Sequence, residues 1–247
     1  MAERTKAVTK TEEAGGMTIP DFIKQGDVRG TEHITKDDIR PPRLSLAQGL
    51  SPQMIETDPL YIEGLKLGDA FNDLTGQIYG KTAIDVLVVR ADPPRYVEFD
   101  EDGRTIVDRD VPADDPRTQF TDDPDHPGQR LKPVATKFYD FVVLKLPERE
   151  PMALSFKSTG LKMAVRLNSL IRMKPVPIFA GRYQLTSVMN KNDQGTWYGF
   201  NVRQTGIVQE KDLFDFAEAC YTAWKEKRVD FETEAASAEP AETTGGM

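Results

Sequence analysis

The sequence predicts a mainly β fold with helices, in which five strands form a small barrel and one helix lies between the third and fourth strands. Two observations lead to this prediction. Short runs between residues 78 and 203 are apolar or alternate between apolar and polar, as strands do, and turn residues separate them. Two other runs have the apolar spacing of an amphipathic helix.

The composition indicates one folded core with polar flanking segments. The chain has 247 residues, 38% of them hydrophobic, and a mean hydropathy of −0.50. These values are low for a compact protein of this length, so we expect disordered material beside the core. Residues 1–40 are predicted to be a flexible leader, residues 41–229 the folded domain and residues 230–247 a disordered acidic tail.

The first strand is predicted over residues 78–90, where four apolar residues, Val86 to Val89, follow one another. A strand that is apolar on both faces is expected at the centre of a sheet. An acidic insertion follows at about residues 92–129, with twelve Asp and Glu and six Pro. We expect a short hairpin around Asp102 and a mobile loop over residues 112–128.

The next predicted elements are two strands and a helix. Residues 137–146 form a mostly apolar run, and residues 151–157 alternate as a half-buried strand does. Residues 158–173 have helical apolar spacing, begin with a Ser-Thr pair that suits a helix cap, and stop before Pro175.

Two more strands and a second helix complete the prediction. The strands are expected over residues 182–189 and 196–203, and the helix over residues 212–227. Alternation assigns three residues of the fourth strand to the core: Tyr183, Leu185 and Met189. Five strands with a helix between the third and fourth is the order of an OB barrel. A mixed α+β sheet is the alternative that element order leaves open.

Charge is concentrated in one part of this acidic chain. The formal net charge is −8, yet residues 130–209 contain thirteen Lys and Arg against four Asp and Glu. A local positive field of this size attracts polyanions, and the release of counterions drives their binding. The same block is rich in aromatic residues, which suits single-stranded nucleic acid because exposed bases stack on aromatic rings. Basic blocks also bind RNA, acidic proteins or the chain's own acidic tail.

Alternation in the fifth strand separates a core face from an outward face. Tyr198, Phe200 and Val202 are assigned to the core, while Trp197 and its neighbours at every second position face out. An indole beside a glycine is predicted to be a stacking platform for a base. The predicted nucleic-acid-binding residues are Lys137, Tyr139, Lys145, Lys157, Lys162, Arg166, Arg182, Trp197, Asn201 and Arg203.

Signals for catalysis or for a bound metal are weak in this sequence. His33 and His126 lie in predicted loops without a ligand partner at metal spacing, and the acidic pairs lie in a proline-rich loop. The single cysteine, Cys220, lies on the apolar face of a predicted helix. We therefore expect no enzyme activity, no cofactor and no metal.

Three stretches resemble the single-stranded DNA-binding proteins of tailed bacteriophages, a group built on the OB fold. They are the entry Pro42–Gly49, the turn Phe71–Gly76, and the segment Phe138–Val202, which includes Ser155–Lys162. The resemblance covers roughly residues 40–210. It implies a protein that coats single strands during DNA replication and recombination, with a flexible acidic C-terminus that recruits partner enzymes.

The predicted function is sequence-tolerant binding of single-stranded DNA without catalysis, in the host cell cytoplasm. The expected partners are the strand itself and replication or recombination proteins that meet the tail. No run approaches the roughly 18 apolar residues of a membrane helix, and no secretory signal is expected. Two alternatives stay open: a phage structural or assembly protein whose basic face meets an acidic protein, and a metal-dependent nuclease.

Overall fold

The computed structural model describes residues 30, 31, 33, 41–101, 103, 105–192 and 195–225. The elements named below belong to the compact unit that begins at residue 40. The predicted acidic tail lies outside the described residues, and so does the predicted leader except for three of its residues.

Strands dominate the described part of the chain, and two α-helices accompany them. The strands are β1 (Leu44–Leu46), β2 (Ala70–Asn72), β3 (Ile78–Gly80), β4 (Ile84–Ala91), β5 (Arg95–Phe99), β6 (Ile106–Asp108), β7 (Thr121–Asp122), β8 (Arg130–Leu131), β9 (Ala135–Lys145), β10 (Glu150–Lys157), β11 (Gly181–Asn192) and β12 (Gly195–Ile207). The helices are α1 (Leu161–Arg172) and α2 (Lys211–Trp224). Short 3-10 turns lie at Pro52–Met54, Pro116–Thr118, Ser158–Gly160 and Ile178–Ala180.

Five long antiparallel strands form the main sheet in the order β10-β9-β4-β11-β12, which we call the barrel sheet. β5 continues β4 along the same edge of β9, and β6 pairs with β5. The predicted mainly β fold with helices is confirmed, and α1 lies between β10 and β11 as expected. The predicted closed barrel is not observed, because β10 and β12 do not pair within the described residues.

A short segment, Pro42–Gln48, lies between the two free edges of the barrel sheet. The Pro42 carbonyl accepts a hydrogen bond from the Ala153 amide of β10 at 2.8 Å. At the other end of the segment, the Gln48 side chain bonds to the backbone of Tyr198 in β12. An earlier part of the chain therefore bridges the gap between β10 and β12, the two strands that would pair in a closed barrel.

The barrel sheet is apolar on both faces, and each face is covered by a helix. The inner face packs with Ala164 and Leu167 of α1, and the outer face packs with Leu213 and Ala217 of α2. Inner-face residues include Val86, Phe141, Leu154, Tyr183 and Leu185, and outer-face residues include Leu87, Val142, Leu144 and Ala153. The two-sided burial of β4 agrees with its consecutive apolar residues.

One core prediction and one strand prediction differ from the structure. Met189 is 59% exposed, because β11 extends beyond the part of the sheet that the inner core covers. The predicted single strand over residues 78–90 is two strands, β3 and β4, because β3 belongs to a separate small sheet with β1 and β2.

The acidic insertion is more ordered than its composition indicates. The predicted hairpin is present as β5 and β6. The stretch predicted to be a mobile loop contains the 3-10 turn Pro116–Thr118 and β7, which pairs with β8 just after the stretch. Arg117 accounts for much of this order, since its guanidinium contacts the carboxylates of Glu98, Asp108 and Asp115. Within the described residues, no helix is both long and apolar enough to cross a lipid bilayer.

Candidate nucleic-acid interface

Helix α1 presents basic side chains that lack acidic partners. It lies within residues 151–192, which contain seven Lys and Arg and no Asp or Glu. The helix buries Ala164 and Leu167 and exposes Lys162 and Arg166 one turn apart. Among the described residues, neither cation forms an ion pair. Their positive charge therefore faces solvent without local compensation.

The 3-10 turn Ser158–Gly160, which precedes α1, lies against both β9 and β12. The Trp197 indole N–H donates to Thr159 Oγ1 at 3.1 Å, and Trp197 is only 9% exposed. The prediction that this indole forms an open stacking platform is therefore wrong. Alternation placed Trp197 on the outward face of β12, but the turn before α1 packs over it.

Lys137 and Tyr139 lie on the same face of β9 and contact each other. The Lys137 ammonium is 4.9 Å from the centre of the Tyr139 ring and 5.7 Å from that of Tyr96. Burial works to lower the pKa of Lys137, but hydrogen bonding and charge interactions with Tyr139 and Tyr96 outweigh it, and the pKa is raised. Lys137 stays charged and covers part of both rings.

Lys145 lies at the opposite end of β9 from Lys137 and is buried. Their separation of eight positions corresponds to about 26 Å of strand. Lys145 is 5% exposed, lies 4.7 Å from the centre of the Tyr79 ring and pairs with Glu148. Its predicted location on the surface is wrong, because the β2–β3 hairpin brings Tyr79 over it.

A second group of predicted residues lies on the outer face of β11 and β12. Asn201 and Arg203 are exposed there, and Arg203 Nη2 donates to Gln184 Oε1 at 2.7 Å across the two strands. Arg182 lies on the same face, but it is half-buried and pairs with Glu210 at 3.2 Å. Arg203 is thus the cation of this group without an acidic partner in the described part of the chain.

The structure therefore sorts the ten predicted residues into three places. Around the turn before α1 and along that helix lie Lys137, Tyr139, Lys157, Lys162, Arg166 and Trp197. On the outer face of β11 and β12 lie Arg182, Asn201 and Arg203. Lys145 is remote from both groups and is buried.

Two cations of the same surface were missed by sequence reasoning. Arg172 ends α1 and Lys174 follows it, and both are exposed. Neither lies on a predicted strand face, so the alternation argument did not select them. The signal that identifies them is the run of residues 151–192 without an acid, which includes both.

Groups that are suited to catalysis or to metal binding are not assembled in the described residues. No cluster of three or more His, Cys, Asp and Glu side chains is placed to hold a metal ion there. His126 contacts Asp123 within the acidic insertion at 3.1 Å. Burial raises the pKa of the Cys220 thiol, so this cysteine is a weaker nucleophile than an exposed one.

In comparisons with known proteins, a family model matches most of the chain. The family model described as "Pam3 phage gp34-like protein" matches residues 10–230. This range takes in all of the strands and both helices named above. No curated protein and no solved structure matches the chain.

Proposed function

The chain belongs to the Pam3 phage gp34-like protein family, and from that premise we propose that it binds single-stranded DNA, without catalysis, in phage DNA replication or recombination. Phosphates of the strand provide most of the contacts, so binding depends little on base sequence. The protein acts in the cytoplasm of the host cell. Its acidic tail provides a contact for replication or recombination proteins.

The observation that carries this proposal is a basic surface without acidic residues. Residues 151–192 have no Asp or Glu, and the cations Lys162, Arg166 and Arg203 form no ion pair in the described part of the chain. Several basic residues elsewhere in the described part of the chain are neutralised locally, as Arg149 is by Asp212 and Lys211 by Asp215. Uncompensated cations attract a polyanion, and counterions released from its phosphates add to the free energy of binding.

The strand order of the barrel sheet supports a single-strand ligand. The order β10-β9-β4-β11-β12 is that of an OB barrel opened between its third and fifth strands. The segment Pro42–Gln48 fills this opening. OB barrels commonly bind oligonucleotides, so the strand order and the charged surface favour the same class of ligand.

The structure changes the expected balance between charge and stacking. Trp197 is 9% exposed and bonded to Thr159, so its indole is not available for a base without rearrangement. Base stacking contributes about 1–3 kcal/mol for each stacked base where a platform exists. Without the Trp197 platform, affinity is expected to come mainly from phosphate contacts and to fall steeply with salt.

A titration with labelled oligonucleotides tests the proposal. The full chain is mixed with a 30-nucleotide dT strand and with a duplex of equal length, at several salt concentrations. Tighter binding to the single strand with a steep salt slope is expected. No binding to either nucleic acid at low salt would refute the proposal. Cleavage after magnesium or manganese is added would identify a nuclease instead.

A second candidate function is the binding of an acidic protein partner in phage assembly. One observation favours it, because α1 and the residue after it expose the apolar side chains Val165 and Met173 at 52% and 78% among the basic ones. Mixed apolar and basic surfaces of this kind also suit protein interfaces. If no nucleic acid binds in the titration above, this candidate replaces DNA binding.

A further inference from the structure

The outer face of β9 and β10, where an OB barrel commonly binds oligonucleotides, is covered at one end by α2. Leu213 and Ala217 of that helix pack against Val142, Leu144 and Ala153. All five side chains are at most 5% exposed. A nucleic acid cannot reach this half of the face while α2 stays in position.

The other half of the same face is covered by the acidic insertion. Val97 of β5 and Val111 of the insertion are 0% and 5% exposed, and the Val111 amide donates to the Tyr96 carbonyl at 3.1 Å. Arg95 lies over the Phe138 ring at 4.6 Å from its centre. The insertion contains twelve acidic and four basic residues, so it repels a polyanion as well as covering the sheet.

Past β4, the outer face of the barrel sheet is open and has little negative charge. On β12 it presents Asn201 and Arg203 to solvent, and on β11 the neighbouring Val188 is 41% exposed. Two acidic groups among the described residues border this area: Asp85, which accepts a hydrogen bond from Gln184 Nε2 at 3.1 Å, and the exposed Glu210, which pairs with Arg182 at 3.2 Å. Both lie at or beyond the Arg203 end of the face, since Gln184 is opposite Arg203 and Arg182 is opposite Gly206. A strand that runs from Arg203 towards Trp197 therefore leads away from both carboxylates.

This open face leads to the basic start of α1. From Arg203 to Trp197, β12 extends over six residues, or about 20 Å. At the Trp197 end, the indole contacts Thr159, and the exposed cations Lys162 and Arg166 follow in α1. We call the path from Arg203 along β12, past the Trp197–Thr159 contact, to Arg166 the basic track.

Aromatic rings beside the basic track are already covered. Trp197 is buried against the turn before α1. Lys81 lies 5.2 Å from the centre of the Tyr198 ring, and Lys137 covers part of Tyr139 in the same manner. Bases that lie along the track therefore meet no open aromatic face among the described residues.

We propose that a nucleic acid strand lies along the basic track and is held through its phosphodiester backbone, with its bases turned away from the protein. This inference rests on the proposed function and extends it in two ways. It places the ligand along β12 and α1, and not on the outer face of β9 and β10 where OB barrels commonly bind oligonucleotides. It also defines the ligand class as a flexible phosphodiester chain whose bases are dispensable.

An abasic oligonucleotide tests whether the bases are dispensable, since it retains the phosphates and lacks the bases. The full chain is titrated with a 30-nucleotide dT strand and with an abasic strand of equal length. The inference predicts affinities within about threefold of each other. Stacked bases would instead cost the abasic strand roughly fivefold or more for each base lost from an aromatic platform, and such a loss would overturn backbone-only binding.

Charge reversal tests whether the strand lies along the basic track. The variant K162E/R166E reverses two cations of the track. The control R130E/K132E makes the same change of net charge at β8 and the residue after it, just past the acidic insertion. Both pairs are exposed, and circular dichroism and urea unfolding check that both variants fold. We expect K162E/R166E to weaken dT binding at least tenfold and to reduce the salt slope by about 1.4, or about 0.7 for each lost phosphate contact. The control is expected to change affinity less than threefold.

These experiments distinguish a failure of the proposed function from a failure of the basic track. If the wild-type chain binds no dT strand, the proposed function fails. If it binds dT but both double variants lose affinity equally, or only the control does, the function stands and the basic track is wrong.

Discussion

The side-chain amide of Gln48 makes two hydrogen bonds to the backbone of Tyr198, the pair that a neighbouring strand would make. Gln48 Oε1 accepts from the Tyr198 N–H at 2.9 Å, and Gln48 Nε2 donates to the Tyr198 carbonyl at 2.8 Å. One side chain thus attaches the free edge of β12 to the segment that follows β1. The hydrogen-bonded edge lies next to Trp197 and the turn before α1, so it helps to hold the proposed interface in shape.

Replacement of Gln48 by Ala is expected to destabilise the protein by about 1–3 kcal/mol, because both backbone groups of Tyr198 lose their partner. Urea unfolding of the full chain measures this change in the free energy of unfolding. The control is Gln53→Ala, since the Gln53 side chain forms no hydrogen bond in the described part of the chain. Equal stability of the two variants would show that the Gln48–Tyr198 contact contributes nothing.

Gly68 and Gly64 form a matched pair for a second stability test. Both have a positive φ, +79° and +81°, but a Cβ at Gly68 would lie 2.4 Å from the Tyr198 ring, whereas a Cβ at Gly64 would meet nothing within 4 Å. Gly64→Ala is expected to cost about 1–2 kcal/mol for its left-handed backbone alone. Gly68→Ala should cost at least 1 kcal/mol more, because the Tyr198 ring must move. Similar losses in urea unfolding would argue against close packing of Tyr198 on Gly68.

Arg117 is predicted to control the titration of Asp115. Hydrogen bonds from the Arg117 side chain and, next, from its backbone N–H lower the pKa of Asp115 to about 2. A folded-state pKa below the unfolded value stabilises the fold above the unfolded pKa of about 3.9. This stabilisation is lost as the pH falls from about 4 through 2. In Arg117→Gln, carboxyl NMR titration should show the Asp115 pKa rising towards 3.8, and an unchanged value would contradict the contact.

Removal of the acidic tail is predicted to tighten binding to single-stranded DNA. Residues 230–247 contain five acids and no Lys or Arg, and they lie outside the described residues. If the tail competes with DNA for basic side chains, its removal strengthens binding most at low salt, where charges are least screened. Fluorescence anisotropy with a dT strand, at about 20 mM and about 200 mM salt, measures the affinity of the full chain and of the truncated chain. Unchanged affinity at the lower concentration would exclude competition by the tail.

Alternation in the sequence identified the inner face of the barrel sheet wherever a strand is covered along its length. Tyr183 and Leu185 are buried as predicted, with 2% and 1% exposure. Alternation gives the face of a strand but not the point where its cover ends, so Met189 was assigned to the core although β11 extends past it. The same rule placed Trp197 outward without information on the turn that packs over it.

Long-range contacts explain the other differences between prediction and structure. Lys145 lies in the basic block, but Tyr79, 66 positions earlier, covers it in the fold. The acidic insertion has the composition of a mobile loop, yet one residue, Arg117, connects three of its carboxylates. Composition counts charges and gives no information on their pairing. The charge count over residues 130–209 nevertheless included α1 and its uncompensated cations, because the four acids of that block lie outside this helix.

Lysine footprinting can locate a bound DNA strand on this protein. The full chain is acetylated with and without an excess of a 30-nucleotide dT strand, and the extent of modification at each lysine is read by mass spectrometry. Bound DNA is expected to protect Lys162 on the basic track. The exposed Lys66, which lies between β1 and β2, and Lys211 of α2, which pairs with Asp215, are expected to react as before. Protection of Lys66 or Lys211 in place of Lys162, or no protection of any lysine, would rule out DNA binding along the basic track.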